Sequence, residues 1–187
     1  MSNPTYDGRV LAYDAKVARY ERLNESITRS AELATRDFII DDLIAADYGA
    51  TRPGSFQNVD RLILRWERPD WFEFLPDPER PFSFTRHTGE VIAPGRMLTN
   101  GGSVPRWFWV KESLSPWGHT PAFIVHDWEF DAHRAGAPKS FDEVRNTIAE
   151  ALKTLMEIGV TPKSEATFRM IYAGVSSWIA HKMWDGA

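Results

Sequence analysis

The stretch Thr99–Arg134, TNGGSVPRWFWVKESLSPWGHTPAFIVHDWEFDAHR, decides how the rest of this chain is read. It joins a glycine-rich loop to an apolar run ending in His126-Asp127, and it carries four of the eight tryptophans. Thr120 suits an N-cap because its hydroxyl accepts an orphan backbone N–H, and Pro121 has no N–H to lose in the first turn. A helix is therefore predicted to start there, with His126 in its second turn. Ala122, Phe123, Ile124, Val125, Trp128 and Phe130 lie on every side of that helix, the pattern of an element buried all round. Charged groups on such an element need partners, a ligand or a solvated cleft, since unpaired buried charge is costly.

Toward the C-terminus, Ala135-Gly136-Ala137-Pro138 stops this helix. Ser140 with Glu143 three residues on is in capping-box register for the next, which ends at Gly159. Val144, Ile148, Ala151, Leu152, Leu155 and Ile158 give it one apolar stripe. Thr161-Pro162 is a break before a last helix carrying Phe168, Ile171, Tyr172, Val175, Trp178, Ile179 and Met183 along one side.

Toward the N-terminus, short β-like runs at 61–66, 71–75, 81–84, 90–92 and 96–98 are separated by Pro, Gly and Asp. That punctuation implies a small antiparallel sheet and not parallel βαβ units. GATRPGSFQN, Gly49–Asn58, is a turn-rich connector and the predicted boundary between an extension over 1–58 and a domain over 59–187. Asp14 to Tyr48 has no proline or glycine and predicts a long helix, with a weak heptad-like stripe through Val17, Tyr20, Asn24, Ile27, Ala31, Ala34 and Phe38. This helix is either a solvated amphipathic element packed on its own domain or an arm that docks onto another copy or subunit. The expected fold class is α+β: a small antiparallel sheet packed on three C-terminal helices, with a long N-terminal helix.

The 187 residues suit one domain with an extension, and a 43% hydrophobic and 13% aromatic content fits an ordered protein with a real core. A net charge of −4 gives no general attraction to nucleic acid or to an anionic membrane surface. With no cysteine, disulfides, thiolate nucleophiles and Cys-based metal sites are excluded. The N-terminus, MSNPTYDGRV, lacks a signal pattern, and no apolar run approaches the roughly 18 residues of a membrane span. The expectation is a soluble protein that is not exported by a cleaved signal.

Adjacent helical residues point about 100° apart, so His126 and Asp127 do not share one face equally, whereas Asp127 and Asp131 lie one turn apart and can converge. The short link 136–139 folds the next helix back against the first and brings Asp142 near its far end. A carboxylate that holds His126 makes it a competent general base, so His126 and Asp142 are the candidate catalytic pair. Asn100, Gly101, Gly102 and Ser103 form a loop able to present backbone groups to an oxyanion or a cation. Asp127 and Asp131 are the candidate ligands of a divalent cation such as calcium. The same residues also fit a purely structural network pinning the loop to the helix, with Asp127 bonded to Arg106 or Ser103, and the tryptophans read first as packing.

Thr99–Arg106, then Ser115-Pro116-Trp117-Gly118, then His126-Asp127-Trp128-Glu129-Phe130-Asp131 and a later helix with Asp142 near its start resemble a domain-of-unknown-function family of tailed phages and prophages. Its pattern is a T-D-G-x-S-x-P-R loop, an S-P-x-G turn and an H-D-x-x-Y-D helix. The resemblance covers about Leu62 to Trp178 and implies a phage-associated protein, with no activity to carry over. Asn100 stands where that family has Asp, and Phe130 where it has Tyr, which puts any metal or acid role of position 100 in doubt. A more distant, geometric similarity is to secreted calcium-dependent phospholipases, in which a helical His-Asp pair, a glycine-rich loop and an Asp on a second helix act together. Two functions follow as expectations: hydrolysis of a lipid, ester or envelope substrate, or a virion structural or assembly role in which the Asp14–Tyr48 helix docks on a neighbour.

Overall fold

A computed structural model describes residues 13–19, 21–22, 46–101 and 118–185. All five predicted β-like runs become strands, but they divide between two small antiparallel sheets where one was expected. β1 (Ser55–Gln57), β4 (Ser83–Thr85) and β5 (Val91–Ile92) form one in the order β1-β4-β5; β2 (Ile63–Arg68), β3 (Trp71–Leu75) and β6 (Met97–Thr99) form the other in the order β2-β3-β6. The additional strand is β1, drawn from the connector that reads as turn. It pairs Phe56 with Phe84, and Gly54 lets it approach: a Cβ there would meet the Thr85 carbonyl oxygen at 2.2 Å. The β2–β3 hairpin turns at Pro69-Asp70, where Asp70 takes φ 63°, and a bulge lies between Trp66 and Arg68.

The C-terminal half is helical as expected, with its last helix broken. α2 (Thr120–Arg134) and α3 (Phe141–Glu157) are followed by α4 (Glu165–Ser176) and α5 (Trp178–Trp184), which are split at Ser177 with ψ 159°. α2 has His119 as its N-cap, with no side-chain cap hydrogen bond, so Thr120 is one residue further in than predicted. α3 has the full capping box, with Glu143 N–H donating to Ser140 Oγ at 3.2 Å and Ser140 N–H to Glu143 Oε2 at 2.8 Å. Phe130 and Phe141 meet at 6.3 Å across the short link between α2 and α3, which make the most extensive helix–helix contact.

The expected long N-terminal helix is not what the described residues show. α1, residues 13–19, is helical for seven residues, and residues 46 and 47 are irregular, so no helix runs on into Tyr48; residues 23–45 lie outside the described residues, with most of the predicted docking stripe. Residues 46–57 are built into the main core instead. Ala46 and Tyr48 pack with Phe74, Phe84, Phe123, Ile148, Leu152 and Phe168, and the Tyr48 ring meets Phe168 edge-on at 5.2 Å. α1 packs Val17 against Trp71 and Leu98 in a separate cluster. No helix among the described residues is long and apolar enough to cross a membrane.

Candidate functional site

His126 and Asp127 lie in the middle of α2, where Ile124, Val125 and their neighbours are wholly buried. His126 is 3% exposed, with its ring 4.6 Å from that of Phe130, and its Nδ1 has no hydrogen-bond partner. Burial without a compensating charge pushes its pKa down to about 3, so the imidazole is neutral at physiological pH. Asp127 is buried as well. Its carboxyl is pushed up to about 6 by burial, against the opposing pull of the Lys16 charge and of the Thr99 hydroxyl, which donates to Oδ2 at 2.6 Å.

Thr99, at the end of β6, fastens three elements together. While its hydroxyl donates to Asp127, the same oxygen accepts the Gly101 N–H at 3.1 Å, in a turn that Gly101 enters at φ 77°. Asn100 is buried beside it. Gly102, Ser103 and Arg106 lie outside the described residues.

His126, Asp127 and Asn100 line a cavity of about 980 Å³, at the upper end of small-molecule sites. It spreads across α2 from His126 and Asp127 to Asp131 and Arg134, and is flanked by α1, by Trp71 and Leu98 from the sheet and by Arg96 just before β6. The cavity covers so wide a face of the helix that the angular offset between His126 and Asp127 does not separate them.

α1 is tied to this wall by charge. The Lys16 ammonium donates to the Leu98 carbonyl at 2.7 Å and to both Asp131 oxygens at 2.8 and 3.0 Å, and Arg134 donates to the same carboxylate at 3.1 Å. Glu73 on β3, 1% exposed, accepts from Arg96 at 2.6 and 3.0 Å and from the Tyr13 hydroxyl at 2.7 Å, and also pairs with Arg65. Burial alone raises its pKa, but those hydrogen bonds and charges outweigh it and hold the carboxyl below its usual value.

The residues named from the sequence are only partly brought together. His126, Asp127, Asp131 and Asn100 share the cavity wall. Asp142 does not join them: it is 72% exposed and pairs with Arg145 at 3.0 Å. The capping box explains why, since with Ser140 as N-cap it is Phe141 and Val144 that turn inward, leaving Asp142 and Glu143 in solvent. Nor does the proposed calcium find a fitting set. Asp131 is held by Lys16 and Arg134, and among the described residues no group of three His, Asp or Glu is placed to hold a metal ion.

A second buried charge network went unread in the sequence. Glu129, two residues on from Asp127 and so on the other side of α2, pairs with Lys139, which reaches Glu90 at 2.6 Å; Arg86 links Glu90 at 3.2 Å to Glu150 at 2.7 Å. Burial drives Glu129 up to about 7 despite Lys139.

No family model, no curated protein and no solved structure matches this chain.

Proposed function

We propose that the chain is a phage- or prophage-associated hydrolase that cleaves an ester or related bond held in the cavity beside α2. The motif order Thr99–Arg106, Ser115–Gly118, His126–Asp131 supports the phage association. The observation that carries the hydrolase reading is that Asp127 and His126, whose buried Nδ1 has no hydrogen-bond partner, line one cavity large enough for a substrate.

The environments of the two side chains set their roles. A base is most effective when its pKa lies near the working pH, and Asp127 at about 6 meets that condition, whereas His126 at about 3 does not. Asp127 therefore takes the proton from the attacking water. The neutral imidazole of His126 donates a hydrogen bond to the oxyanion forming on the ester carbonyl, the role in which low basicity costs nothing. Asp127 then returns its proton to the departing alkoxide, so that water and ester become acid and alcohol.

The test is turnover of a panel of acyl and phosphoryl esters by the full chain. Asp127→Asn is expected to lower kcat by about a hundredfold or more. The wild-type rate rises with pH through about 6, as Asp127 loses its proton. Asp142→Asn is expected to change neither kcat nor KM. Failure of every ester, or an Asp127→Asn enzyme as fast as wild type, overturns the reading.

A virion structural role is the second reading, favoured by β2, an edge strand among the described residues, where Trp66 is 62% and Ile63 44% exposed. Apolar side chains on a free sheet edge invite pairing. Sedimentation of the full chain and of Trp66→Ser distinguishes the two: concentration-dependent assembly lost in the variant supports the structural role.

A further inference from the structure

The cavity wall carries five cationic side chains, Lys16, Arg19, Arg22, Arg96 and Arg134, against the two carboxyls of Asp127 and Asp131. Three of the five are accounted for, because Lys16 and Arg134 share Asp131 and Arg96 sits on Glu73. Arg19 and Arg22 pair with no carboxylate among the described residues, and Nη2 of Arg19 is buried with no hydrogen-bond partner. Burial, followed by the charges of Arg134 and Arg22, pulls the pKa of Arg19 below its usual value. Arg19 lies close enough to Arg134 and Arg22 for their charges to act on it, an anion among them would relieve that repulsion, and forked guanidinium donors match a carboxylate or phosphate. The same wall is also oily, with Trp71, Met97, Leu98, Trp128, Phe130 and Met183.

We propose that this cavity binds a single-chain anionic amphiphile, its phosphate or carboxylate head held by Arg19 and Arg22 and its hydrocarbon chain laid against Trp71, Trp128 and Met183. The proposal names a ligand class for the cavity that the hydrolase reading uses, and rests on that reading for location alone. A bare inorganic anion leaves most of the 980 Å³ unfilled. A neutral chain leaves Nη2 of Arg19 without a partner. Only a ligand with both parts satisfies both the cations and the apolar lining.

The experiment is calorimetric titration of the full chain with decylphosphonate, whose C–P bond no hydrolysis removes, beside decanol and inorganic phosphate. Decylphosphonate is expected to bind, with decanol and phosphate each weaker by about tenfold or more, and Arg19→Gln/Arg22→Gln is expected to lose about tenfold in affinity for it. The Arg19→Lys/Arg22→Lys protein should fall between, since lysine keeps charge without the fork. If the glutamine variant fails to fold, salt serves instead: added NaCl should weaken decylphosphonate binding in the wild type and leave decanol unaffected. Decanol or phosphate binding as tightly as decylphosphonate overturns the proposal, and so does a folded glutamine variant of unchanged affinity. Arginine-dependent binding without turnover of any ester removes the hydrolase reading and leaves this one standing.

Discussion

Replacing His126 by glutamine isolates the energetic consequence of a buried neutral imidazole. The ring has no compensating charge and its pKa is depressed from 6.5 to about 3. Above pH 6.5 the folded and unfolded chains both carry it neutral, and it makes stability independent of pH. As pH falls toward 3 the unfolded chain takes up a proton that the folded chain refuses, so folding loses about 1.4 kcal/mol per pH unit, about 5 kcal/mol in all. That is a large part of the roughly 5–15 kcal/mol that holds a domain together. Asp127 and Glu129 act in the opposite sense. Both are raised, to about 6 and about 7, so their protonation favours the fold as pH drops below those values. They are present in both proteins, and the difference between wild type and His126→Gln removes them. The assay is urea unfolding followed by circular dichroism at intervals between neutral and acid pH. Expected is a stability difference that moves in favour of the variant by several kcal/mol as pH falls from 6.5. Parallel pH curves for the two proteins would refute the reasoning, because they would mean that His126 takes up its proton equally in both states.

Two further substitutions test the frame that holds the cavity. Glu73→Ala leaves the Arg96, Arg65 and Tyr13 donors facing an empty site and removes the tie to α1; a loss of about 3–5 kcal/mol in urea unfolding is expected, and a loss below about 1 kcal/mol counts against the network. Gly54→Ala places a methyl 2.2 Å from the Thr85 carbonyl oxygen and 2.7 Å from Cζ of Phe84. Since β1 must then part from β4, a cost of about 1–3 kcal/mol or more is expected, and an unchanged melting temperature shows that the pairing is absent in solution.

Local signals in the chain carried most of the fold, and long-range ones were silent. Proline, glycine and aspartate between short β-like runs mark β2 to β6, and the Ser140–Glu143 box marks α3. β1 was missed because three residues in a glycine- and proline-rich connector become a strand only through Phe84 and its neighbours on β4. The break at Ser177 was hidden because apolar spacing continues from α4 to Met183 across it. At the site, His126, Asp127 and Asn100 stand out as polar groups in apolar surroundings, and they do border the cavity. Asp142 was placed by helix-return geometry without the rotation that the cap imposes. Lys16 and Asp131 are 115 positions apart, and nothing in either neighbourhood announces the other. Glu73 did carry a signal: a carboxylate between aromatic residues in WFEFL, on the same face as Trp71, must have partners if that face is buried.

The cavity joins these results. The sheet supplies Trp71, Met97 and Leu98, α2 supplies the titrating groups and Arg134, and Lys16, Arg19 and Arg22 bring most of the positive charge. The most direct measurement of whether His126 faces a space that receives a ligand is the ring ¹⁵N spectrum of the histidines at neutral pH, recorded as decylphosphonate is added. A neutral His126 imidazole whose Nδ1 resonance shifts to saturation, while His87 beside Glu150 stays in place, is the result expected. A His126 signal that stays fixed while the ligand saturates the protein contradicts the account.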